Sequence, residues 1–243
     1  MKAQSFSLAL LLFTISCSNS DISVNELKFG GLKGNVSSYK EFIYDAEEKF
    51  GEVVPDDLEQ VAIYEYDKDG HQIKFGLYDE DGDFIYKYEY TYEKGVLVSM
   101  ATMHRYGDNK RTESRIVERN KNYIKWCHEY GTANEYTSEA FYEKNFLCVK
   151  KENGEKMLET VYDKEGREID QKRYLDGELY SRIKNEYNDA GLLVKSIQYW
   201  TSDEGDVLTY KYVEFDKKGN WVTSHVYEDG ELEAIHKREI IYR

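Results

Sequence analysis

The chain has 243 residues, 47 acidic against 33 basic, for a formal charge of −14, with 23 tyrosines, 17 glycines and one proline. That balance excludes a nucleic-acid-binding surface and a body held on anionic lipid, since both need clustered positive charge. The excess acid keeps an aromatic-rich chain soluble.

In chain order, Met1-Lys2, the apolar run Phe6 to Ile15 and the small residue Ser16 predict a secretory signal peptide over residues 1–16, too short to stay in a bilayer as a helix. Thr14-Ile15-Ser16-Cys17 resembles the lipobox of Bacteroidetes-like lipoproteins, and the resemblance implies a diacylglycerol on Cys17. Residues 17–32 then read as a lipidated tether, polar at first and ending on Gly30-Gly31, with the membrane as partner through its acyl anchor at the cell envelope. Asp21 is the only acid close behind Cys17, so the leaflet face, periplasmic or surface, stays open.

Residues 33–243 read as one domain. Val36 to Tyr44 and Val61 to Tyr66 are expected as a first strand pair, with Asp45 to Gln60 a loop insertion holding Pro55, which cannot donate to a ladder. Tyr66-Asp67-Lys68-Asp69-Gly70 is a turn, because aspartate bonds its own backbone and glycine reaches positive φ. The unit recurs at Tyr78 to Gly82 and Tyr162 to Gly166, with looser copies near Gly95, Gly177, Gly191, Gly219 and Gly230. This spacing marks strands joined by tight turns. The fold class is therefore all-β: an antiparallel meander of repeated β-hairpins in one long, twisted, curled sheet. Between turns the side chains alternate, so Tyr86, Tyr88 and Tyr90 share one face, as do Leu208, Tyr210 and Tyr212.

From Met100 to Lys150 the period blurs, with turns expected at 106–110, 120–122 and 142–145. Cys127 and Cys148 fall on strands separated by a third, a spacing that argues against a disulfide, while an oxidising compartment would allow one, so their pairing stays open. The last strand, Arg238 to Arg243, ends on charge and is expected to discourage further strand addition.

The units YDKDGHQI, YDEDGDFI, YDKEGREI and FDKKGNWV resemble the YD repeat of RHS-type proteins, and RYLDGEL and YEDGEL resemble the hairpins of MORN-like and YwqK-like repeats. The resemblance implies hairpin architecture and carbohydrate or partner binding, with too few repeats to enclose a cargo. No metal-ligand spacing joins His71, His104, His128, His225 and His236, no nucleophile or phosphate motif occurs, and Asp79, Asp81 and Asp83 read as a turn rather than a calcium loop. No cofactor, metal or catalytic residue is expected. The expectation is a non-enzymatic module whose tyrosine-rich face, at Tyr86, Tyr88, Tyr90, Tyr210, Tyr212 and Trp221, meets a glycan or an envelope protein, or packs only within the protein. The alternatives are an immunity-like or purely structural envelope protein and, less favoured, a carbohydrate-active enzyme.

Overall fold

The computed structural model describes residues 31–105, 110–143, 146–152, 154–200 and 204–243. Along them run β1 (Val36–Lys49), β2 (Glu52–Tyr66), β3 (Gln72–Asp79), β4 (Phe84–Glu93), β5 (Val96–His104), β6 (Arg111–Asn120), β7 (Tyr123–His128), β8 (Tyr136–Glu143), β9 (Phe146–Glu152), β10 (Glu155–Tyr162), β11 (Glu168–Leu175), β12 (Glu178–Tyr187), β13 (Leu193–Trp200), β14 (Gly205–Phe215), β15 (Trp221–Glu228) and β16 (Glu231–Tyr242). Each pairs antiparallel with the next, and β16 returns to pair with β1, so the meander closes into a barrel.

Closure corrects the expectation of a curled but open sheet. Neighbouring strands rotate by roughly 20–25°, and open sheets rarely exceed about ten strands without curling. Across sixteen strands the twist brings the first edge round to the last, and pairing them leaves no unpaired edge. The hairpins are thus enough for enclosure, and the charged end of the chain is the closing partner rather than a barrier to pairing.

The turns explain why the repeat works. Asp67 Oδ1 accepts the N–H groups of Asp69 and His71, both at 2.9 Å, while the Asp67 N–H donates to the His71 carbonyl. Asp163 holds Glu165 and Arg167 in the same way, Asn188 holds Ala190 and Leu192, and Asp216 holds Lys218 and Asn220. The fourth residue must then reverse the chain at positive φ, 88° at Gly70 and 81° at Gly219, which glycine does without a Cβ clash. The residue after it can pair back to the free carboxylate oxygen: His71 Nδ1 lies 2.8 Å from Asp67 Oδ2, and Arg167 Nε 2.6 Å from Asp163 Oδ2.

The predicted insertion at Asp45 to Gln60 is not a loop. β1 continues to Lys49 and β2 starts at Glu52, with Phe50 and Gly51 at positive φ forming the tip. Pro55 lies inside β2 opposite Ala46, beside register shifts on both sides of Tyr44, where an irregular ladder tolerates the missing N–H. β1 meets β16 only as far as Asp45, and β2 meets β3 only from Gln60, so residues 46–59 project past the rim as a two-stranded ribbon. The blurred stretch is β5 to β9 in unbroken order, and Cys127 on β7 and Cys148 on β9 are free, with β8 between them. Residues 1–30, with Cys17, and the turns expected at 106–109 and 144–145 lie outside the described residues.

Asp163→Ala removes three bonds from one loop and is expected to lower stability by about 1–2 kcal/mol, while Asp189→Ala, in the neighbouring turn of the same kind, changes it by less than about 0.5 kcal/mol. Urea midpoints of the two variants check this, and equal midpoints would refute the loop's dependence on its carboxylate.

Candidate functional site

Alternate residues of a closed barrel face inward, and side chains on a concave wall converge and cover one another. The register identifies this wall: Tyr39, Glu41 and Ile43 on β1 align with Tyr64, Ala62 and Gln60 on β2 and with Ile240, Arg238 and His236 on β16. The opposite face carries Lys87 and Glu89 on β4, Arg182 and Lys184 on β12, and Lys237 and Glu239 on β16, some tied across strands as in Arg111–Glu89 at 3.3 Å and Lys172–Glu159 at 3.6 Å. A barrel that crosses a bilayer turns an apolar band outward, where a mid-bilayer Lys or Arg costs about 2–4 kcal/mol. This outer wall is charged at mid-strand, so it is a water-facing wall.

Half of the inner wall is aromatic. Tyr39 stacks on Tyr64 at 4.3 Å, Tyr64 meets Phe75 at 4.8 Å, and Phe75 meets Tyr86 and Tyr88 at 5.7 and 6.1 Å. Tyr88 continues to Tyr90 at 6.4 Å, and both Tyr86 and Tyr88 reach His104 on β5. On the other side of the seam Tyr212 packs on Trp221 at 5.5 Å, and the Arg238 guanidinium bridges the two groups, 3.4 Å from the Trp221 ring and 4.9 Å from Tyr39. The belt therefore spans β14 to β5 across the chain ends. Tyr39 is buried and the other Tyr, Phe and Trp rings of the belt are half-buried. Burial and the neighbouring Tyr88 push the Tyr86 hydroxyl up to about 12, and burial takes Tyr212 to about 12 as well, so both stay protonated donors at neutral pH.

At the centre of the belt lies an ion pair across the seam. Arg238 and Glu41 are direct register partners, bonded from Arg238 Nε to Glu41 Oε2 at 2.8 Å, and His236 Nδ1 lies 2.9 Å from the other carboxylate oxygen. Ala62 opposite Glu41 on β2 leaves room for the pair. Burial opposes the carboxylate charge, yet Arg238 and His236 hold Glu41 down to about 2.

The other half of the inner wall, β6 to β13, sets polar side chains beside an apolar cluster of Ile116, Ile124, Trp126 and Ala140. Ser114, Ser138, Thr160, Gln171, Ser181, Ser196 and Gln198 are all buried. Between the first two sits His128, with Nδ1 2.9 Å from Ser114 Oγ and Nε2 2.6 Å from Ser138 Oγ, stacked on Tyr136 at 4.7 Å. Burial and Lys150 push His128 down to about 4. Each ring nitrogen meets a serine and neither a carboxylate, so the imidazole lacks the orienting acid of a hydrolase triad. It serves as a neutral tie between β6, β7 and β8.

The predicted residues are brought together, though not on an outer surface. Tyr86, Tyr88 and Tyr90 line the inner wall of β4, Tyr210 and Tyr212 that of β14, and Trp221 starts β15 between Tyr212 and Arg238. Sequence reasoning missed Tyr39, Tyr64, Phe75, Glu41 and Arg238. The first three alternate in strands already recognised, but Glu41 and Arg238 meet only through closure. Among the described residues Asp67, Asp69 and His71 come close enough to hold a metal, but both Asp67 oxygens already accept hydrogen bonds within the turn, which accounts for the grouping.

Glu41→Gln leaves Arg238 without its counter-charge and is expected to cost about 3 kcal/mol in urea unfolding. In the parent protein the carboxylate contribution is whole above pH 4.5 and fades as pH falls toward 2, because the folded value lies below the unfolded one. His128 adds a separate acid limb. Its folded value is also depressed, so stability is full above pH 6.5 and drops by on the order of 2 kcal/mol toward pH 4, and His128→Gln flattens that limb. Unfolding curves at pH 7, 5.5, 4 and 2.5 read both effects.

A family model described as "Uncharacterised protein" matches residues 129–240. No curated protein matches the chain. Among solved structures the chain is similar to a porin-like protein from Bacteroides uniformis ATCC 8492, at 11% identity and a TM-score of 0.46, over 86% of this chain and 99% of that one.

Proposed function

We propose that this protein is a non-enzymatic envelope protein, anchored by a lipid on Cys17, whose barrel binds saccharide against the aromatic belt of its inner wall. The single observation behind the reading is the continuous run of rings from Tyr212 through Trp221, Tyr39 and Tyr64 to Tyr88, half-buried except at Tyr39, which is packed closed. Sugar rings present apolar C–H faces to aromatic faces and hydroxyls to polar groups, and this interior supplies aromatics on one half and Ser, Thr and Gln side chains on the other. The charged outer wall accords with attachment by acyl chains rather than by the barrel itself.

A second reading, an immunity-like or structural role toward another envelope protein, draws on the rim ribbon at 46–59. Its tip residue Phe50 is fully exposed, an unusual place for a phenylalanine unless it meets a partner.

Titration of the soluble barrel with oligosaccharides from an array, followed by tryptophan fluorescence and calorimetry, tests the first reading. Tyr88→Ala and Trp221→Ala are each expected to weaken binding about tenfold. No saccharide binding, or binding unchanged by both substitutions, overturns it; envelope capture lost only in Phe50→Ser would move the assignment to the ribbon.

A further inference from the structure

The polar half of the wall contains two cations that no described carboxylate pairs. Lys150 on β9 aligns with Ala140 and Leu158, and Leu158 aligns with Arg173 on β11, so the two sit on the inner wall in one row across β9, β10 and β11, about 10 Å apart at their Cα atoms. Arg173 spends its Nε on Gln171 Oε1 at 2.9 Å, and its Nη2 is buried without a partner. Glu168 on the same strand favours the Arg173 charge without an ion pair: the Gln171 amide donates to both its carboxylate oxygens at 3.0 Å, and burial pushes Glu168 up to about 7. Glu152 lies two residues from Lys150 and favours its charge without forming an ion pair. Burial lowers both cations from their ordinary values, which is the cost of holding unpaired charge there.

Around Arg173 stand further unused groups. Ser181 is its direct partner on β12, Thr160 aligns with Gln171, and Gln198 follows Ile183 on β13. Each is 4% exposed, and Thr160 Oγ1, Ser181 Oγ and Gln198 Nε2 have no hydrogen-bond partner. All three are able to donate. Two unpaired cations beside a cluster of unpaired donors, within a chain of formal charge −14, call for an anion supplied from outside.

We infer that the wall around Lys150 and Arg173 receives a carboxylate of an acidic oligosaccharide, other units of which reach the aromatic arc. This rests on the saccharide reading above and adds the charge of the ligand. A planar carboxylate fits the guanidinium fork, with Ser181 and Thr160 donating from the side and Lys150 supplying the second positive charge. A sulfate ester on the same sugar offers similar oxygens, so the test includes it.

Calorimetry with oligogalacturonate, its fully methyl-esterified form, a sulfated galactan fragment and inorganic phosphate, on the folded barrel and its Arg173→Met and Lys150→Met variants, decides the matter. The acid is expected to bind at least tenfold tighter than its methyl ester and tighter than the sulfated fragment, with the preference falling to near unity in either variant that retains its fold by circular dichroism. A preference for the sulfated fragment overturns the carboxylate assignment. Equal binding of acid and ester overturns the anion site while leaving the saccharide reading in place. A preference that survives both substitutions overturns its location, and binding of phosphate alone, with no saccharide bound, defeats both readings.

Discussion

Everything in this molecule depends on the rungs between β1 and β16. Nine register pairs, from Val36–Tyr242 to Asp45–Ala234, join the two ends of a meander that would otherwise present two unpaired edges. Glu41 and Arg238 sit at the middle of that seam, and the ends are tied as well. Asn220 bonds both the N–H and the carbonyl of Lys33, Arg243 reaches the carbonyls of Val36 and Tyr66, and the Tyr242 hydroxyl donates to Asp216. These contacts join residues about as far apart in sequence as the chain allows, so they carry the largest loop-closure cost. Asp-Gly turns bring each hairpin together locally; the seam alone turns a row of hairpins into a container.

Closure also decides what the side chains mean. In an open meander the tyrosines of β4 and β14 lie at distant places on one face. In the closed barrel β14, β15, β16, β1, β2, β3 and β4 are successive neighbours, and the two groups become one belt bridged by Arg238. The remaining arc carries Ser, Thr and Gln beside the apolar cluster around Ile124, with Lys150 and Arg173 among them. The three apolar clusters, around Ile124, Tyr39 and Ile43, each involve adjacent strands only. The wall is thus stabilised locally, strand against strand.

Much of this was legible before any coordinates. Tyr66 to Gly70 announces its turn because Asp and Gly are chemically suited to it, and Phe84 to Tyr92 announces a strand because its rings recur every second residue. The error at Asp45 to Gln60 has a specific cause: Pro55 argues against a ladder, and only the register shifts around Tyr44 show how a strand accommodates it. The aromatic site was half legible. Tyr86, Tyr88, Tyr90, Tyr210, Tyr212 and Trp221 could be named from periodicity, but their orientation toward an interior could not, since alternation separates two faces without saying which is concave.

The amino-acid order by itself determined local things: strand lengths, turn positions, the alternation of aromatic and charged faces, and the antiparallel sense that two-residue and five-residue turns impose. The tertiary structure decided the rest, namely that sixteen strands close, that the aromatic face is the inner one, and that Glu41 meets Arg238 from 197 residues away. The division follows from the range of the forces involved. Turn chemistry and pleat alternation act over a few residues and are written in short stretches, whereas twist accumulates a little at every strand and reveals its outcome only when the whole sheet has been summed.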